Sequence, residues 1–202
     1  MRIRIAHIIL VIFLGFSLSA AGQIAAPPMP LKLPDDVAWV QTFLTIKKDG
    51  TREYQRHAFI TKGEKFRLEY ELFNRPTTII VFDGKSLGTN GKIQESKDPK
   101  HKTPEFWDAR IRNKQLYALM NKSHYKGIEK IDNHNCWHFS AEGVTSKINL
   151  WVDVNKMIPR RIFVDYENGS ASRDLFDDLP EQIKITPELF DPKNLNVNLL
   201  GN

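Results

Sequence analysis

Residues 66–73 read FRLEYELF, and the spacing within this stretch decides the fold class. Phe66, Leu68, Tyr70 and Leu72 alternate with Arg67, Glu69 and Glu71, the two-residue period of a strand that turns one face to an apolar interior and the other to water. Downstream, residues 77–84 (TTIIVFDG) are apolar on both parities through Ile79, Ile80, Val81 and Phe82, as a strand covered on both sides requires. Upstream, VAWVQTFLTIKKDG (37–50) and TREYQRHAFITKGEK (51–65) are further runs of strand length. Asp49-Gly50, Asp83-Gly84 and Asn90-Gly91 supply the positive φ angles of tight hairpin turns, with Lys62-Gly63 and Asn168-Gly169 as similar punctuation. Neighbouring strands are therefore predicted to pair antiparallel.

The last third continues in the same manner. GIEKI (127–131), CWHFSAEG (136–143), KINLWVDV (147–154), RRIFVDYENG (160–169) and ASRDLFDDL (171–179) all read as strands, and ITPELFDP (185–192) as a short closing segment. In the third of these, Ile148, Leu150, Val152 and Val154 share one face. One stretch breaks the pattern. After the lysine-rich SKDPKHK (96–102), TPEFWDARIRNKQLYALMNK (103–122) opens with a threonine able to cap and a proline suited to a first helical turn. A helix from about Pro104 to Asn121 is predicted, with Phe106, Ala109, Leu116, Tyr117 and Met120 on one stripe. About nine or ten strands with one main helix predict a mainly β fold, a single curved antiparallel sheet forming an open half-barrel under a helical lid, rather than a βαβ fold.

The N-terminal segment gives the organisation of the chain. Arg2 and Arg4 precede an apolar run from Ile5 to Phe16 and then SLSAAG (17–22), the order of a secretory signal, too short for a bilayer span. Residues 1–21 are read as a signal peptide, 22–36 as a proline-rich linker and 37–202 as one domain. No cysteine stands near the cleavage site to take a lipid, so the exported protein is expected to be periplasmic and not lipid-anchored. The lone Cys136 cannot form an intramolecular disulfide, and the fold must rest on its core. The formal charge of +5 includes both signal arginines, leaving about +3, with lysine and arginine spread along the chain. That distribution argues for a solvated sheet surface and against nucleic acid, with a weak attraction to anionic lipid surfaces.

Candidate chemistry is sparse. His134, Cys136 and His138 are spaced to share one side of a strand and could ligate a soft divalent metal, but a structural site takes four ligands and no further pair stands nearby. The pairs Asp35-Asp36 and Asp177-Asp178 read as solvated turn residues rather than glycosidase carboxylates. The sequence carries no nucleophile elbow, zincin helix, phosphate loop or dinucleotide fingerprint, so no enzyme activity and no cofactor are expected. Trp39, Tyr70, Trp107, Tyr117, Trp137 and Trp151 are a large aromatic supply that core packing explains in the main. A single curved sheet under one helix, however, leaves an apolar cleft of the kind ligands occupy.

The stretches GEKFRLEYELFNRPTTIIVFDGKSL (63–87) and KINLWVDVNKMIPRRIFVDYENGSASRDLFDDL (147–179), followed by ITPELFDP, carry a resemblance. A Gly-x-Lys-Phe-Arg-x-Glu strand leads to an apolar strand ending in Asp-Gly-Lys, and a later Trp-x-Asp strand is followed by Ile-Pro-Arg. Over roughly residues 37 to 192 this resembles the outer-membrane lipoprotein carrier (LolA-like) superfamily. The resemblance implies an open half-barrel whose apolar cavity holds acyl chains or serves envelope-stress sensing. It implies Phe66, Leu68, Tyr70, Leu72, Ile79, Val81, Leu150 and Val152 as cavity residues, with Trp107 and Ile111 on the lid. The partner it implies is a lipid or an acylated lipoprotein. The alternative is a module that binds another envelope protein and whose core is filled. Carriers of this type open with a long amphipathic helix, which the proline-rich residues 24–36 cannot supply.

Overall fold

The computed structural model describes residues 26–32, 34–71, 77–90, 92–95, 118 and 120–200. The strands are β1 (Val37–Ile46), β2 (Arg52–Lys62), β3 (Lys65–Glu71), β4 (Thr78–Phe82), β5 (Ser86–Thr89), β6 (Lys92–Glu95), β7 (His124–Ile131), β8 (His134–Glu142), β9 (Ser146–Asp153), β10 (Pro159–Tyr166) and β11 (Ala171–Asp177). They form one sheet in the order β6-β5-β4-β3-β2-β1-β11-β10-β9-β8-β7. Each half of the chain is a meander, and the halves are joined where β1 pairs with β11 antiparallel, Val40 opposite Asp177 and Ile46 opposite Ala171. Among the described residues the sheet does not close on itself, and β6 and β7 are its edges. At β7 the pairing with β8 slips between Tyr125 and Gly127, and Gly127 takes a φ of +130° that a residue with a Cβ rarely adopts.

The predicted signal segment 1–21 and the greater part of the predicted lid, with Trp107 and Ile111, lie outside the described residues, as does Leu72. Among the described residues, helix is limited to positions 118 and 120 and a single 3₁₀ turn, Pro187–Phe190. That turn lies within the predicted closing segment, 185–192. Pro187 stands in its first turn, where its fixed φ suits a helical start and its missing N–H suits no strand ladder.

Alternation divides the side chains between two apolar faces. Trp39, Phe59, Phe66, Leu68, Ile80, Phe82, Trp137, Phe139, Leu150, Val152, Ile162 and Phe176 form one buried cluster with Leu31, Val37, Met120 and Ile158. Trp39 sits at the seam. Its ring centroid lies 5.7 Å from that of Phe59 in the first half and 5.6 Å from that of Phe176 in the second. The proline-rich approach also contributes: Leu31 is buried in the cluster, and its backbone N–H and C=O both bond the Asn121 side-chain amide, at 2.8 and 3.2 Å.

The second face, behind β1 to β3, carries Val40, Ala58 and Ile60, and Leu189, Phe190, Leu199 and Leu200 of the C-terminal segment cover them. This corrects the expectation that the charged side of FRLEYELF meets water. Arg67 and Glu69 are both 0% exposed. They pair at 2.7 Å beneath the C-terminal segment. Arg67 also donates to the backbone carbonyls of Leu189 (3.2 Å), Asn194 (2.8 Å) and Val197 (2.8 Å). Glu69 accepts the backbone N–H of Leu199 at 2.8 Å.

Removing one buried charge leaves the other uncompensated, at a cost of about 3–5 kcal/mol, whereas an apolar pair of similar volume can be close to neutral. Arg67→Met is therefore expected to lower the unfolding free energy in urea by about that amount. Arg67→Met/Glu69→Leu is expected to recover at least half of the loss.

Candidate ligand-binding face

Cross-strand partners show how the broad apolar face is laid out. Directly opposed residues of antiparallel strands point to the same side. On one row Ile80, Leu68, Phe59 and Trp39 stand opposite one another in turn. On another, Phe43, Asp174, Ile162, Leu150, Phe139 and Tyr125 cross the second half of the sheet. The face is continuous from β4 to β8.

The residues singled out by sequence divide between the two sides. Phe66, Leu68, Leu150 and Val152 lie in the buried cluster of the broad face, and Tyr70 packs against it. Ile79 and Val81 do not join them. Val81 pairs with Arg67 and Ile79 with Glu69, whereas Leu68 pairs with Ile80 and Phe66 with Phe82. Because β4 is apolar on both parities, its own sequence leaves the inward parity open; the register with β3 sends Ile80 and Phe82 to the broad face and Ile79 and Val81 behind it. Leu72, Trp107 and Ile111 lie outside the described residues.

The broad face also carries polar groups that the sequence reading did not select. Gln41 and Asp174 are each 9% exposed, and the Gln41 amide donates to the Asp174 carboxylate at 3.2 Å. The rings of His57 and Tyr70 meet edge to face at a centroid distance of 6.0 Å, His57 standing opposite both Gln41 and Tyr70. The signal was available: Asp174 shares the parity of Phe176 within ASRDLFD. The apolar surface is therefore interrupted by a hydrogen-bonding patch at the middle strands, an arrangement suited to an amphiphile with one polar end.

His134, Cys136 and His138 do lie on one side of β8, behind the broad face, but they hold separate partners. His138 engages Glu129 at 2.7 Å and Asn149 at 3.1 Å and stacks on Trp151 with centroids 4.5 Å apart. The Trp151 indole N–H donates to Glu129 at 2.7 Å, and this bond with the His138 contact holds the Glu129 carboxyl below its usual range. His134 lies 3.0 Å from Asp153. Burial pushes the Cys136 thiol up to about 11, which keeps it a protonated thiol at neutral pH. Among the described residues no group of three or more His, Cys, Asp or Glu side chains is placed to hold a metal ion.

Asp153 is the centre of a charged cluster at the β9–β10 turn. It is 1% exposed and accepts from Arg160 at 2.9 and 3.0 Å and from the backbone N–H groups of Asn155 and Lys156 at 2.8 and 3.1 Å. Arg160 reaches Asp178 at 3.0 Å, as does Lys156 at 2.7 Å. Asp178 is thus tied into an ion-pair cluster rather than merely solvated. Asp36 accepts the backbone N–H of Gly63 at 2.8 Å.

No protein-family model and no curated protein matches the sequence. Among solved structures, the chain is similar to Pseudomonas aeruginosa MucB in its complex with MucA, at 14% identity and a TM-score of 0.43 over 77% of this chain and 56% of that chain. It is similar to a crystal structure of MucB at 13% identity and a TM-score of 0.44, over 80% of this chain and 60% of that one. A LolA superfamily protein, NE2245 from Nitrosomonas europaea, is 14% identical with a TM-score of 0.37, over 80% of this chain and 93% of that chain. The chain spans 48% to 60% of the length of the MucB chains it matches. The fold described above rests on its own strand order and register.

Burial of Asp153 works to raise its carboxyl, but the bonds from Lys156, Arg160 and Asn155 outweigh it, and the net shift is below the ordinary value; Asp178 shifts the same way. Carboxylates depressed in the folded state contribute stability that is present above their unfolded pKa and lost as pH falls through the folded one. Urea unfolding is therefore expected to show stability falling as pH drops below about 4. Asp153→Asn should shrink that acid-side slope and lower stability at pH 7.

Proposed function

We propose that this is an exported periplasmic protein that holds a lipid, or the acyl chain of a lipoprotein, on the broad face of its sheet, without a cofactor and without catalysing a reaction. The observation that carries this reading is the continuity of that face: apolar side chains from eight strands form one cluster, broken by the Gln41–Asp174 pair near its middle. An extended apolar face with a few convergent polar groups is the usual chemistry of a site for an amphiphile. The sequence resemblance to the LolA-like superfamily points to the same ligand class. On this reading Phe66, Leu68, Tyr70, Leu150 and Val152 contact the chain, and Gln41 and Asp174 lie near its polar end.

A second reading, a module for another envelope protein, is favoured by the edge. Tyr125 and Ile128 of β7 are 41% and 37% exposed. Such residues are anchors for a protein partner.

Organic extraction and mass spectrometry of protein purified from periplasm without detergent is expected to give near-stoichiometric lipid or acylated peptide. Tyr70→Asp, with an unchanged far-ultraviolet circular dichroism spectrum, should carry at least tenfold less. A lipid-free wild type would remove the carrier reading. On the partner reading, a stable lipid-free complex in periplasmic extract should be lost in Tyr125→Ala/Ile128→Ala.

A further inference from the structure

The residues of the broad face are covered. Phe66, Leu150 and Val152 are wholly buried and Leu68 almost so, so whatever binds there takes the place of a group already packed on the sheet. Among the described residues, the cluster on that face draws Leu31, Met120 and Ile158 from outside the strands. Two of these are tied down. The Ile158 carbonyl accepts the backbone N–H of Asp153 at 2.9 Å, in the turn that the Asp153 carboxylate also braces through the N–H groups of Asn155 and Lys156. The Met120 carbonyl accepts the backbone N–H and the hydroxyl of Ser123, at 2.9 and 2.6 Å.

Leu31 is held differently. It is buried, whereas Ala26, Pro28, Met29, Pro30 and Lys32 are exposed and Pro27 is half-buried, so within residues 26–32 it is the one side chain driven into the face. Its N–H donates to Asn121 Oδ1 at 2.8 Å, and Asn121 Nδ2 donates back to its carbonyl at 3.2 Å. One side-chain amide thus stands where a strand would have a ladder of partners. Pro27, Pro28, Pro30 and Pro34 stiffen the segment and withhold the N–H groups that would pair it with the sheet. Anchored at one point, it is free to lift as one piece, and the branched alkyl group it inserts has the same apolar chemistry as an acyl chain.

We infer that residues 26–32 are a strap across one end of the ligand face, that Leu31 fills a place an acyl chain takes, and that the acyl chain binds by displacing it. The inference rests on the ligand reading given above and adds how that site is regulated. The strap is a built-in competitor: the apparent affinity of the face is reduced to the fraction of molecules in which Leu31 has left. Asn121, which touches the strap through its backbone, sets that fraction without itself lying in the apolar cluster.

The test titrates cis-parinaric acid, a fluorescent fatty acid, into lipid-free wild type, Leu31→Ser and Asn121→Ala. Both variants are expected to bind about tenfold more tightly, as follows when the strapped form outnumbers the open one by about that factor. Hydrogen exchange at the Leu31 amide, read by mass spectrometry on the wild type, is expected to quicken at saturating fatty acid, because displacement breaks its bond to Asn121. Unchanged or weaker binding in both variants overturns the inference and leaves the ligand reading standing, as does exchange that stays constant or slows at saturation. Binding by none of the three proteins removes the ligand reading, and this inference with it. Should Leu31→Ser not fold, Asn121→Ala and the exchange measurement decide.

Discussion

A buried ion pair that bonds to backbone holds the two ends of this fold together. Arg67 and Glu69 stand in the middle of β3, yet their partners lie more than a hundred residues later, in a segment with no regular sheet pairing. Charges removed from water need their remaining hydrogen bonds satisfied, and here a C-terminal segment without a strand ladder has backbone groups to spare. Each side answers the other's requirement. The side chains that alternate with these charges, Phe66, Leu68 and Tyr70, point to the broad face, so one strand of seven residues serves both sides of the sheet.

The other constraint is the seam. Each half of the chain is a meander of local hairpins, but the β1–β11 pairing joins segments far apart in sequence, from Val40 with Asp177 to Ile46 with Ala171. Closing so long a loop has an entropic cost, and Trp39 offsets part of it by packing on Phe59 from one half and Phe176 from the other. Gln41, one step further along the same face, ties the halves by a polar bond to Asp174.

Much of this was legible in the sequence. Strand identity, antiparallel pairing and the turns at Gly50, Gly63, Gly84 and Gly169, all at positive φ, follow from period and turn chemistry. The inward face of β9 was correctly read from Ile148, Leu150, Val152 and Val154. Three things were not readable. The strands β5 and β6 have four residues each, too few to establish a period. The parity of β4 is ambiguous because both of its faces are apolar, so Ile79 and Val81 could be assigned only through register. The burial of Arg67 and Glu69 was hidden because alternation separates two faces without saying what covers the second. Within the candidate site, the apolar members of β3 and β9 could be read, whereas the Gln41–Asp174 bond joins residues 133 apart, a proximity that no local pattern contains.

The irregular end of the sheet at β7 bears on how this protein behaves when crowded. An open sheet presents unpaired backbone along each outer strand, a template for uncontrolled growth. One margin here is only four residues long and carries Lys92; the other is kinked at Gly127 and flanked by the exposed Lys126 and Lys130. A neighbouring strand cannot lie flat along such a margin without leaving hydrogen bonds unmade and bringing lysines together. The eleven strands of the described residues thus form a sheet with two guarded margins rather than a barrel, an open architecture protected against fibrous assembly.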